Sequence, residues 1–452
     1  MPDTNTLPEQ LLSQAIAQGA DAAEVFQSGS LSRPVIFEGN RLKQVETSQS
    51  EGVALRLWKN GQPGVAVGHG PIEPQALVDK ALAISALNAP ETPYLSEGTA
   101  EGRQRNLADV GQAVAVEQLV DWGRGAIAKI RDQFPEVVCE AELSCDVETT
   151  RLVNSKGLDY RHQDTCLSGY LNAELVDQDD FLYVGDGLTQ RNHLDMPAVA
   201  DTIIQRLRWA NRTVELDAGE NNSVPIIFTP GAAWLLWGTL RSALNGKRVS
   251  EGTSPWSQKW GDTVVAEAIT LRQDPKIGPY SCPFDDEGML TQPLMLVENG
   301  RIKNWYCDQT IGQMTGKPVT GKPDAVPQGL GNGSTGNGLR PDLGSYPTPG
   351  LINLLVAPGS LDWDALIAEV PEAIIVDQVM GEGGDITGDM SVNLELGYRV
   401  SQGEIIGRVK DTMVSGNAYT ALKSLIALGN DAQWCGSTYT PSVVVGSLSV
   451  TG

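Results

Sequence analysis

Apolar and polar positions alternate over most of this chain, with a few helical stretches between the alternating runs. Residues Pro8 to Gln18 place Leu11, Leu12, Ala15 and Ile16 at helical spacing. Period-two segments follow at Ala23–Phe26, Pro34–Phe37, Leu42–Val45, Gly52–Leu57 and Gly64–Val67, with Gly39-Asn40 and Asn60-Gly61 as turns between them. Pro74 to Leu87 reads as a helix. Pro90 to about Arg105 is polar and reads as a linker. Val114 to Phe134 is a second long helix. Strands are expected at Val137–Cys145, Thr149–Asn154, Leu158–Tyr160, Thr165–Val176 and Phe181–Gly185, closed by a helix from Met196 to Asn211.

Beyond a polar boundary at Asp217 to Asn222 the character changes. Val224 to Phe228 is a continuous apolar run, followed by Thr229-Pro230-Gly231 and an apolar helix from Ala232 to Leu244. Thr229 suits an N-cap and Pro230 the first helical position; Asn245-Gly246 suits a left-handed exit. Hairpins are expected around Asn299-Gly300 and around Ser401 to Glu404, each between period-two runs. Leu351–Val356, Ala373–Val379 and Ser442–Val450 read as strands, and Leu361–Val370 and Asn417–Leu428 as helices. Lys317–Pro347 reads as a long polar, Gly/Pro-rich loop, of a kind that is usually functional or disordered, and Gly381–Asp389 as a second Gly-rich loop. The expected fold is α+β: an N-terminal antiparallel sheet region flanked by helices, then a mainly β, barrel-like C-terminal domain with a few helices. The boundaries read as 1–105, 106–220 and 221–452.

With 452 residues the chain is long for a single core. Its 56 acidic against 33 basic residues give a net charge of −23, which repels phosphate backbones and anionic lipid. Nucleic acid and membrane are therefore not expected partners. The first ten residues lack a basic and an apolar signal region, and no apolar run is long enough to span a bilayer. Six cysteines without a C-x-x-C pair fit reduced thiols, and the chain reads as cytoplasmic.

Local motifs narrow the chemistry. Gly331 to Gly336 spells G-x-G-x-x-G, but no strand precedes it and no helix follows, so it reads as a loop. His69, His162 and His193 lie too far apart for a local metal motif. Asp285-Asp286-Glu287 packs three carboxylates beside Cys282, suited either to acid–base or metal work or to a solvated turn. Cys435 is either a nucleophile awaiting a basic neighbour or a buried structural thiol.

Several motifs in order resemble the TldD/PmbA (TldE) family, formerly called modulators of DNA gyrase. They are Ser242–Lys247, Ser250-Glu251-Gly252, Pro283–Gly288, Ser334–Asn337, Gly384–Ser391, Val414–Asn417 and Gly429-Asn430-Asp431. The resemblance implies a helix after a Pro-Gly turn that in TldD-like members carries H-E-x-x-x-H, with a C-terminal cysteine completing a zinc site. Overlaid on this chain, the ligand positions fall at Leu235 and Leu240, Leu236 replaces the glutamate, and only Cys435 is left as a ligand-position candidate. The resemblance therefore implies a PmbA/TldE-like, metal-free subunit of a zinc metalloprotease acting on unstructured peptides. No cofactor is expected in this chain, with zinc in a TldD-like partner, and a homo- or hetero-oligomer is implied. Asp285, Asp286, Glu287, Ser334, Thr335 and Asn337 are the expected peptide-cleft residues; no catalytic residue is expected. Two alternatives are a cysteine-dependent hydrolase using Cys435 and a regulatory protein acting on a topoisomerase.

Overall fold

The computed structural model describes residues 6–97, 113–177, 180–217, 223–314, 328–381 and 385–452. Parts of the expected linker 90–105 and of the loops 317–347 and 381–389 lie outside the described residues.

The N-terminal half is built on one eight-stranded antiparallel sheet. Its strands are β1 (Ala22–Ser32), β2 (Val35–Glu38), β3 (Arg41–Val45), β4 (Ser48–Lys59), β5 (Gln62–His69), β6 (Val138–Asn154), β7 (Asp159–Asp177) and β8 (Asp180–Gln190). The order is β3-β2-β6-β1-β4-β5, with β7 on the other edge of β6 and β8 beyond it. The β4–β5 turn is the expected one: Asn60 and Gly61 both take positive φ, 55° and 73°, as a two-residue hairpin turn requires.

Four expected strands are here two. β6 runs unbroken through Asp146-Val147-Glu148, and β7 through Arg161 to Asp164. The polar residues do not end the strand because β1 and β7 both pair with β6 along that stretch, so its backbone groups remain satisfied. Helices α1 (Leu7–Ala17) and α2 (Pro74–Ser85) share a core with β1, β4 and β5. Helices α3 (Val116–Gln133) and α4 (Met196–Trp209) share another with β2, β6, β7 and the outside of the C-terminal barrel.

The barrel closes through five strands. β9 (Ser223–Phe228) lies between strands Glu372–Met380 and Val443–Thr451, and the circuit continues through Met413–Asn417 and Asp389–Ser401 back to Glu372–Met380. Continuous apolar runs make sense here because both faces are covered. Ile226 and Phe228 join the inner core while Ile227 joins the core under α3 and α4; Ile374 and Val376 alternate with Ile375 in the same way. A six-stranded sheet, in the order Arg301–Ile302, Leu294–Glu298, Leu271–Gln273, Leu354–Val356, Thr438–Thr440, Gln433–Cys435, completes the domain.

Two expected helices are shorter. The stretch 417–428 folds as a helix Ala418–Lys423, capped by the Asn417 side chain, and then turns into a strand, Leu425–Leu428, paired with Val443–Val445. The expected helix at 361–370 is Trp363–Ala368, with Asp362 as its N-cap.

Candidate functional site

The helix after the Pro-Gly turn, α5 (Trp234–Ala243), starts two residues later than its sequence suggests. Thr229 does not cap it. Its hydroxyl donates to Asp377 Oδ1 at 3.0 Å, and a turn through residues 230–233 leads in instead. The exit also differs: Asn245 is extended and caps the next short helix, accepting from Lys247 N and Arg248 N. Gly246 is needed for close approach, since a Cβ there would sit 2.6 Å from Cys307 Sγ.

Leu235, Leu236 and Leu240 are 1%, 0% and 0% exposed and belong to the core inside the barrel domain. Trp237 is buried too and donates its indole N–H to Thr440 Oγ1 at 2.7 Å, whereas Trp234 points outward and is 42% exposed. The three positions that would bear imidazoles and a carboxylate thus offer only hydrocarbon. Cys435, on the strand Gln433–Cys435, feels the Asp186 carboxylate and the Arg206 guanidinium, and burial pushes its thiol up to about 12. A thiol held protonated by burial is a poor nucleophile, and a single thiol is no tetrahedral zinc site. The residues around α5 do not fit a zinc ion. Among the described residues no group of three or more His, Cys, Asp or Glu side chains is placed to hold a metal.

The polar candidates converge elsewhere, where the N-terminal sheet meets the C-terminal domain. Asp285 and Glu287 are buried, so the solvated-turn alternative does not hold. Asp285 Oδ1 accepts from the backbone N–H of Glu287 and Met289 at 3.0 and 2.8 Å, and Oδ2 from Gly338 N at 2.8 Å. Asp286 Oδ2 accepts from Arg340 N at 2.6 Å, and Glu287 Oε2 from Gln309 N at 2.7 Å. Burial raises all three carboxyls: Asp286 to about 6, and Asp285 and Glu287 upward together, Glu287 further because the Asp285 charge adds to its desolvation.

The segment 334–337 packs against the same cluster. Thr335 Oγ1 accepts from Cys307 N at 2.7 Å and donates to Asn337 Oδ1 at 2.8 Å. Asn337, fully buried, donates to Gln273 Oε1 and to Gly350 O at 2.8 and 2.7 Å. Ser334 Oγ donates to Cys307 O at 3.3 Å and accepts from Gly336 N. The six expected cleft residues therefore form one connected cluster whose polar atoms are largely engaged with backbone groups.

Sequence reasoning missed the cations of this junction. Glu24 of β1 accepts from Arg340 at 2.6 Å and Arg56 of β4 at 3.0 Å, all three side chains at most 7% exposed. The Arg340 guanidinium lies over the Phe26 ring and Arg56 over Trp58. Ser96 donates to Glu287 O at 2.6 Å. Residues 24, 56, 96 and 340 are far apart in sequence, and nothing in their local spacing announces the contact. A second buried network was equally hidden. Arg206 of α4 pairs with Asp377 at 2.7 Å and Asp186 at 3.1 Å, tying α4 and β8 to the barrel strand Glu372–Met380.

Residues 221–452 match the family model of the PmbA/TldA metallopeptidase C-terminal domain, and residues 23–85 that of PmbA/TldA metallopeptidase domain 1. An uncharacterized protein of Methanocaldococcus jannaschii is 25% identical over 96% of this chain and 98% of its own length. A protein of Methanothermobacter thermautotrophicus named metalloprotease is 23% identical over 95% and 92%. The crystal structure of TldE from Thermococcus kodakarensis superposes with a TM-score of 0.84 at 22% identity, covering 99% of this chain and 100% of that one, a likeness of fold. With matched segments at both ends of the sheet-and-barrel architecture, and the C-terminal one alone covering more than half the residues, the chain belongs to the PmbA/TldD metallopeptidase family.

Proposed function

We propose that this chain is a non-catalytic, metal-free, PmbA/TldE-like subunit of a cytoplasmic TldD/PmbA-type metalloprotease complex that acts on unstructured peptides. The observation that carries the reading is the leucine set on α5. A hydrolytic zinc site needs imidazole or carboxylate donors and a base for water, and Leu235, Leu236 and Leu240 are packed in a hydrocarbon core. A TldD-like partner would supply the metal, and this chain would complete the chamber. In this reading Asp285, Asp286 and Glu287, with Ser334, Thr335 and Asn337, fix the loops that wall the peptide cleft. The cysteine-nucleophile alternative is disfavoured by a thiol pushed up to about 12, the reverse of activation.

The test is reconstitution. The purified chain should leave a disordered peptide intact, and adding a TldD-like chain with H-E-x-x-x-H should produce cleavage that chelation abolishes. Sustained, chelator-sensitive cleavage by this chain alone, together with about one zinc per chain by elemental analysis, would overturn the proposal.

A further inference from the structure

A hollow of about 480 Å³ opens on the N-terminal half, between helix α3 and the β2–β3 hairpin. Three arginines line it, Arg41 from the hairpin and Arg124 and Arg131 from α3, with the buried Phe37 and Ile127 and the exposed Leu42 as apolar lining. In a chain of net charge −23, three guanidinium groups on one hollow are a local reversal. No ion pair engages any of the three among the described residues, and Glu38, the nearest acid along the hairpin, is taken by Lys43.

The walls are held firmly. The hairpin turn is anchored through Asn40, whose Oδ1 accepts from Cys139 N at 2.7 Å. Helix α3 lies so close to β2 that a Cβ on Gly123 would clash with the Phe37 ring. The hollow is therefore preformed, as ligand sites usually are.

The arrangement of charge selects the ligand. Arg124 and Arg131 are seven residues apart on one helix face, about 10 Å along the axis. One phosphate would leave the apolar lining unused. An extended chain covers the same distance in about three residues. Guanidinium forks pair well with carboxylates, and an apolar side chain between two acids would meet the apolar lining, above all the exposed Leu42.

We propose that this hollow binds an acidic peptide segment in which glutamate or aspartate residues flank an apolar one. The site is separate from α5 and from the carboxylate cluster, so it stands or falls independently of the subunit reading. The negative field of the whole chain opposes an anion at long range, so binding must come from the local contacts and weaken with salt.

The experiment is fluorescence anisotropy of a labelled peptide containing Glu-Leu-x-Glu with the full chain at about 50 mM salt, where surface charges are only partly screened. Saturable binding is expected. It should weaken roughly tenfold or more when glutamines replace the glutamates, and again in Arg124→Glu/Arg131→Glu. Arg41→Gln, on the other wall, gives a second reading should the double variant misfold. No binding by the wild type, equal binding of the glutamine peptide, or unchanged binding in the folded variants would refute the proposal. So would displacement of the peptide by inorganic phosphate at peptide-like concentrations, which would mark a small-anion site instead.

Discussion

Glu287 shows how position changes the chemistry of a residue. In sequence it is the third acid of an exposed-looking turn; in the fold it is 4% exposed beside Asp285 and accepts from Gln309 N. Burial first, and then the Asp285 charge, hold its carboxyl above the ordinary glutamate range. Such a group binds more protons folded than unfolded. Its contribution is fully present below the unfolded pKa and is lost as pH rises toward the folded one. Glu287→Gln keeps the acceptor and removes the titration. The variant should therefore gain stability relative to the wild type between pH 5 and pH 9, by about 1 kcal/mol or more. Urea unfolding midpoints at the two pH values measure this, and parallel pH curves for the two proteins would contradict it. The thiol of Cys435 is the same lesson in a smaller side chain: burial, not its sequence motif, pushes it above the ordinary thiol range.

Helix α5 is an element whose body, though not its ends, was legible in the sequence. Its apolar composition implies burial, and Leu235, Leu236, Trp237 and Leu240 are all inside. Placing a charge at the glutamate-equivalent position should be severe, because no cation or polar partner waits there. Leu236→Glu should lose about 3 kcal/mol or more of unfolding free energy, while Trp234→Ala, on the exposed side, should stay within about 0.5 kcal/mol. Comparable losses in both variants would show that the inward and outward faces of α5 are wrongly assigned. The ends of this helix were less legible than its body. Thr229 and Asn245 are both good cap residues, but Asp377 claims the first and the next short helix claims the second. Caps compete for partners that sequence does not reveal.

At the scale of the molecule, the N-terminal half and the barrel are tied by buried ions as well as by a shared apolar core. Asp377 is fully buried and paired with Arg206, and Tyr398 and Thr229 complete its shell. Arg206→Gln would leave a buried carboxylate without its cation, which should cost about 3–5 kcal/mol. The double variant Arg206→Leu/Asp377→Leu should recover part of that loss, because the most deeply buried carboxylate is then gone, while Asp186 still loses its cation. Thermal unfolding of the wild type and the two variants tests this; a double variant less stable than Arg206→Gln would argue that packing, not charge pairing, dominates the contact.

The amino-acid order by itself determined the alternation that makes strands, the Asn-Gly turns that join them, and the missing imidazoles and carboxylate on α5. These are local properties: side-chain period, allowed φ and residue chemistry act within a few positions. Only the tertiary structure decided that two polar interruptions stay inside β6 and β7, because β6 is paired on both sides there and the β7 stretch is paired with β6. The tertiary structure alone, too, brought Glu24, Arg56, Arg340 and the three acids at 285–287 into one buried cluster. Contacts across hundreds of residues depend on how sheets and barrel close on each other, and no short window of sequence carries that information.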